Sequence, residues 1–125
     1  MKRSAVLLVV CGALVGWVGR GVAGARAERR SQLLIPQLEN AAVTVWKTVL
    51  RPHEKIAMHR HEHGRVVVAL EGGTLTLPQQ GGGTRRLDLE TGKAYWLDAD
   101  PPGTSHGDDN DSDRQIELMI VELKH

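Results

Sequence analysis

The sequence is short of the residues that most often anchor small folds. Among its 125 residues there is one cysteine, no phenylalanine, one tyrosine and three tryptophans. The lone cysteine, Cys11, falls in the apolar opening of the chain, so the remainder has no thiol and no disulfide to staple it. Its stability must come from a core that is aliphatic rather than aromatic, or from a metal. Helical periodicity is missing as well: no segment after Arg30 repeats its apolar residues at a helical spacing, which argues against a helix bundle. Nor is there a nucleophile with a paired base, a phosphate loop or a nucleotide fingerprint.

A surplus of positive charge is also absent once the chain's opening is set aside. The sequence begins MKRSAVLLVVCGALVGWVGR, with Lys2 and Arg3 ahead of an uncharged run from Ala5 to Gly19. That run falls short of the roughly 20 residues that a membrane-spanning helix needs. Two small-x-small patterns follow, Ala23-Gly24-Ala25 and Ala25-Arg26-Ala27, and they predict a secretory signal peptide cleaved after Ala25 or Ala27. An uncleaved leader would instead anchor the chain in the membrane. Val10 before Cys11 argues against a lipoprotein, which needs a small residue there. Removing the leader takes away Lys2, Arg3, Arg20 and Arg26 and none of the 15 acids, leaving twelve basic residues and a net charge of −3. No basic face remains for nucleic acid. The expected organisation is a signal peptide over 1–27, an arm or linker over 28–40 and a domain over 41–125, periplasmic or secreted.

The domain reads as seven or eight short strands divided by turn residues. AAVTVWKTVLR, KIAMHRH, RVVVALE, TLTL, RRLDLE, KAYWL and RQIELMIVELK alternate or run apolar, and RPHE, Gly72-Gly73, QQGGGT, Thr91-Gly92 and the polar stretch from Asp98 to Asp113 separate them. So many strands in under 100 residues predict an all-β sandwich or small barrel, and a jelly roll fits the count. In the last strand Ile116, Leu118 and Ile120 face one way and Met119, Val121 and Leu123 the other. Two apolar faces predict one against the core and one against a second copy, a homodimer.

Three histidines alternate in MHRHEH, and a fourth closes PPGTSH. His59 and His61, two apart on a strand, would point to one face, and His106 could meet them from a rigid Pro-Pro-Gly turn. Three neutral imidazoles at about 2.0 to 2.1 Å suit a divalent transition ion and leave positions open for water or substrate. His63 shares their parity but is expected in a bend at the mouth, His53 in a turn and His125 in the tail. The run DDNDSD is expected to be a solvated turn, since it lacks the glycine and terminal glutamate of a calcium loop. Trp46 and Trp96 are expected in the core or at its rim, where either could wall a pocket.

These residues carry a family resemblance. His59-Arg60-His61 with Gly72, and Pro101-Pro102-Gly103-Thr104-Ser105-His106 with Asn110, resemble the two motifs of a small single-domain bacterial cupin of the RmlC-like jelly-roll superfamily. It is closest in phrasing to a short group without a well-defined activity. The resemblance spans roughly Val43 to Lys124 and implies a double-stranded β-helix with a metal held by His59, His61 and His106. The metal would be iron, zinc, manganese or nickel. Three positions depart from the pattern: His53 stands where a glycine is usual, eight residues rather than five separate Gly92 from Pro101, and the usual glutamate falls on Arg65, or on Val66 at the longer spacing.

Arg65 is the departure with chemical weight. A guanidinium about 4 Å from a dication would be repelled by about 8 kcal/mol at an effective dielectric of about 20. Either Arg65 points away with Val66 facing inward, or an anion lies between the two charges. In the second case Arg65 would hold a substrate carboxylate beside the metal, with Trp96 as a further substrate contact. The implied functions are metal-dependent oxidation or isomerisation of a small anionic molecule, or ligand capture and sensing without turnover; a pH-responsive dimer is a third, weaker reading.

Overall fold

In a computed structural model, residues 33–125 are described. The signal peptide expected over 1–27 lies outside them. Nine strands follow one another: β1 (Leu34–Glu39), β2 (Val43–Leu50), β3 (Lys55–His59), β4 (Arg65–Glu71), β5 (Gly73–Pro78), β6 (Thr84–Leu89), β7 (Ala94–Leu97), β8 (His106–Asp109) and β9 (Ile116–Leu123). They form two antiparallel sheets, ordered β1-β2-β9-β4-β7 and β3-β8-β5-β6. Apart from the β1-β2 and β5-β6 pairs, neighbours in both sheets are non-consecutive, the mark of a jelly roll, the fold expected from the sequence. No helix among the described residues is long and apolar enough to cross a membrane.

The segment expected as an arm over 28–40 contributes, in its described part, the edge strand β1. Pro36 is tolerated there because an edge strand has a side on which no N–H is needed, and the register with β2 shifts between Pro36 and Leu38. Between the sheets the core is aliphatic, as the shortage of aromatics requires. Leu50, Val67, Ala69, Ile116, Leu118 and Ile120 come from one sheet and Leu75, Leu77 and Leu89 from the other. Strand alternation explains the set: β4 buries positions 65, 67 and 69, and β9 buries 116, 118 and 120. Gly72 has a steric reason too, since a Cβ there would stand 2.2 Å from the carbonyl oxygen of Leu89.

The run DDNDSD corrects an expectation. Only its second half is a turn; Asp108 and Asp109 belong to β8, and Asn110 is fully buried. The Asn110 amide donates to the carbonyls of Leu50, Arg51 and Arg114 at 3.1, 3.1 and 2.7 Å, and its Oδ1 accepts from Ser112 N at 3.1 Å. One side chain therefore ties the end of β2 to the approach to β9 and fixes β8, the strand that begins with His106. Replacing Asn110 by Ala removes these bonds, takes the side-chain partner from the Leu50 carbonyl and the Ser112 N–H, leaves the Arg51 and Arg114 carbonyls only their bonds from Glu54 N and Ser112 Oγ, and should cost about 3 kcal/mol. Urea unfolding of both proteins measures it, and a loss below about 1 kcal/mol would show that solvent or neighbours satisfy those groups.

His53, at the position where a glycine is usual, has a φ of 63°. The turn needs a left-handed residue, and histidine is among the few non-glycine types that adopt it with any frequency. Its ring is exposed, with Nε2 3.0 Å from Asp113 Oδ1, so His53 is a turn residue as expected.

Candidate metal centre

The ends of β3, β4, β8 and β9 converge at one end of the interior. His59 is the last residue of β3 and pairs with His106, the first of β8. The sequence predicts β3 to run on through His61, but the strand ends at His59. His61 is held instead by the loop before β8: its N–H donates to Asp100 Oδ2 at 2.7 Å, and its carbonyl accepts from Asp100 N at 2.8 Å. The longer spacing between Gly92 and Pro101 makes room for this clamp. The outcome for the rings is the one expected, by a different route. Ring centroids lie 5.0 Å apart for His59 and His61, 4.7 Å for His59 and His106, and 5.6 Å for His61 and His106. One nitrogen from each ring falls within 4.8 Å of the others, a grouping that could hold a metal ion and that does not include His63.

Each ring is oriented by an acceptor behind it. His59 Nδ1 lies 2.8 Å from the Ala57 carbonyl, which can only accept, so the proton of the neutral ring sits on Nδ1. His61 Nδ1 lies 3.2 Å from Glu122 Oε1, and His106 Nδ1 lies 3.3 Å from Asp100 Oδ2. All three rings thus turn their Nε2 lone pairs inward, the arrangement that metal-ligating histidines adopt. His106 Nε2 is buried with no hydrogen-bond partner among the described residues. A buried nitrogen left bare is costly unless something binds it, and a divalent ion among these three imidazoles fits both the donors and the orphaned atom.

Charge and burial act on the rings in different directions. Burial, with help from the Arg65 charge, lowers the pKa of His61. Burial is also the largest cause of the lowering at His106. Both are therefore neutral and free to ligate at neutral pH. His59 is raised, chiefly by its hydrogen bond to Asp108, whose Oδ2 lies 3.3 Å from Nε2.

Arg65 faces inward, and the choice between it and Val66 is settled by register. Arg65 pairs with Glu122 on β9 and Leu97 on β7, and it is 5% exposed. Its one side-chain hydrogen bond among the described residues is to the Asp98 carbonyl at 3.3 Å, a long contact for a group with five N–H donors. Burial pulls its pKa down, while Asp100, Glu122 and Asp108 oppose that, and the guanidinium stays charged. These three carboxylates offset the Arg65 charge within the protein itself.

A cavity of about 1100 Å³, mouth included, opens beside these groups, lined by His59, His61, Arg65, Asp108 and Trp46 at its polar end. Its deep wall is the packed core: Leu50, Val67, Leu75 and Leu77 are no more than 4% exposed. Trp96 does not line it. The strand parity that turns Leu97 and Arg65 inward turns Trp96 outward, where it is 54% exposed, lies over Gly64 and bonds Asp98 Oδ1 at 2.8 Å. Trp46 is the tryptophan beside the site, parallel to the His61 ring at 6.4 Å between centroids.

The comparisons agree with this geometry. No family model matches the chain. The "Beta-alanine degradation protein BauB" of Pseudomonas aeruginosa is 35% identical over 88 residues, which cover 70% of this chain and 88% of that protein. A cupin domain from Bordetella pertussis Tohama I is 29% identical with a TM-score of 0.64, over 74% of this chain and 94% of that one. An RmlC-like cupin from Methanocaldococcus jannaschii, at 14% identity, shares the double-stranded β-helix fold with a TM-score of 0.58, over 74% and 79% of the two chains. With a relative of this identity and coverage, and two motifs that place their histidines at one point of the same fold, the chain belongs to the cupins.

Proposed function

We propose that the protein is an exported cupin that binds a divalent transition metal through His59, His61 and His106 and seats a small carboxylate beside it with Arg65. The observation that carries this reading is Arg65 itself: a buried guanidinium, facing the histidines, whose only hydrogen bond among the described residues is to one carbonyl. Such a group has N–H donors to spare in a fork that matches a carboxylate. The relative named for β-alanine degradation supports the ligand class, since β-alanine carries a carboxylate.

A divalent ion in this place supplies Lewis-acid or redox chemistry, the basis of an isomerase or a dioxygenase. The chain's own residues do the rest. Glu122, Asp100 and the Ala57 carbonyl keep the imidazole protons on Nδ1, Arg65 orients the ligand's carboxylate, and the aliphatic wall keeps water from the far side. A second reading, a ligand-binding or sensing module without metal, is favoured by one contact: a protonated His59 satisfies Asp108 at 3.3 Å with no ion present.

Elemental analysis of untagged protein from the native periplasm separates the two. About one equivalent of iron, zinc, manganese or nickel per chain is the expected result. Metal-free protein that still binds small carboxylates would establish the second reading, and protein retained in the membrane would overturn export by a cleaved leader.

A further inference from the structure

We propose that Asp108 is a fourth metal ligand, filling the role of the glutamate that the Arg65 position lacks. The inference rests on the metal reading of the site. Three carboxylates surround it, and two of them stand behind the rings: Glu122 at Nδ1 of His61, and Asp100 at Nδ1 of His106 and the His61 N–H. Only Asp108 stands on the Nε2 side. Its Oδ2 is 3.3 Å from His59 Nε2 and its Oδ1 3.8 Å from His106 Nε2, and these two rings are its only ion-pair partners among the described residues.

With the His59 proton on Nδ1, a neutral ring and a carboxylate meet lone pair to lone pair. A cation must stand between them, either a proton or a metal. At His59 a proton suffices. The second ring asks for more, because His106 Nε2 is buried without a donor or acceptor and aims at the same carboxylate. One ion bound by Asp108 satisfies both nitrogens. Strand geometry supports the assignment, since Asp108 follows His106 by two residues on β8 and shares its inward face.

Charge points the same way. A dication and Arg65 bring three positive charges into a largely buried site, and Asp100, Asp108 and Glu122 bring three negative ones. Without Asp108 on the ion, the metal would face Arg65 with no anionic ligand of its own. With it, the repulsion between metal and guanidinium is offset at the nearest point.

The test is titration of metal-free protein with Co²⁺, following the visible spectrum and the heat of binding, for wild type, Asp108→Asn and the exposed control Asp88→Asn. Asp108→Asn should lower affinity by more than the roughly 10–100-fold that an outer-shell partner costs and should change the cobalt band intensities. The control should match wild type. In case Asp108→Asn fails to fold, a crystal structure of metal-loaded wild type gives the same answer, with an Asp108 oxygen expected about 2.0 to 2.2 Å from the ion. An ion held by the three histidines with water in place of Asp108, or an Asp108→Asn affinity within about twofold of wild type, overturns the inference and leaves the metal reading intact. Wild type that binds no Co²⁺ overturns both.

Discussion

Replacing His106 by Ala should abolish stoichiometric metal binding and remove most of the thermal stabilisation that metal confers. A ligand that binds only the folded state at about 100 times its Kd stabilises it by about 2.7 kcal/mol. In a domain of this size each kcal/mol moves Tm by about 4 to 8 °C, so the metal-induced rise should be about 10 to 20 °C in wild type and near zero in the variant. His59→Ala and His61→Ala should behave alike. Metal-free protein should respond less to His106→Ala, because the wild-type fold already carries the cost of a buried, partnerless Nε2, a burden of about 1 to 3 kcal/mol that the variant sheds. His53→Ala and His125→Ala serve as controls, since neither residue belongs to the grouping. The readout is the difference in Tm with and without metal, which cancels any backbone effect at His53. Equal loss from all five variants would mean surface binding, and no metal-induced shift in wild type would remove the site altogether.

The sequence makes some of this site visible and hides the rest for identifiable reasons. His59, His61 and His106 are legible because they sit in two motifs whose spacing is that of a known fold, whereas β9 is apolar on both faces and only the packing shows that Ile116, Leu118 and Ile120 are the inward set. The alternation of that set, carried by one more step, reaches Glu122, so parity marks the acceptor behind His61 once the inward face is known. Asp108 was masked by composition: four acids among six residues read as a solvated turn, although a residue two past an inward histidine on a strand must also face inward. Arg65 could not be separated from Val66 because RVVVALE is apolar at both parities after its first residue, and only pairing with Glu122 and Leu97 decides which face is buried. Trp96 was misplaced for the same reason, on a four-residue strand too short to show its phase. Asp100 had no local signal at all. Its contacts with His61 and His106 join a loop to two other segments, and nothing near it in the chain encodes them.

Arg65 offers the sharpest test of how metal and ligand share the cavity, because one charge acts on both with opposite sign. Arg65→Ala should raise metal affinity in the absence of ligand by at least about tenfold, because it removes a buried unit charge that faces the dication. Binding of a small carboxylate such as propionate to the metal-loaded protein should fall by at least about tenfold, since a buried, hydrogen-bonded charge partner is gone. Arg65→Lys separates charge from shape. It keeps the positive charge, so metal affinity should stay near wild type, while loss of the planar fork should still weaken carboxylate binding. Arg65→Glu doubles the change in charge and puts a carboxylate where most cupins have one, so metal affinity should rise further and carboxylate binding should vanish. In the metal-free Ala and Glu variants the guanidinium no longer offsets Asp100, Asp108 and Glu122, which leaves protonated His59 as the cation beside Asp108, and both should be less stable than wild type until metal is added. Calorimetric titration with metal, and then with propionate, across the four proteins measures every term. Affinities for both that stay within about twofold of wild type would mean that the guanidinium is only a buried structural charge, and the carboxylate would have to be held by the metal and the three histidines alone.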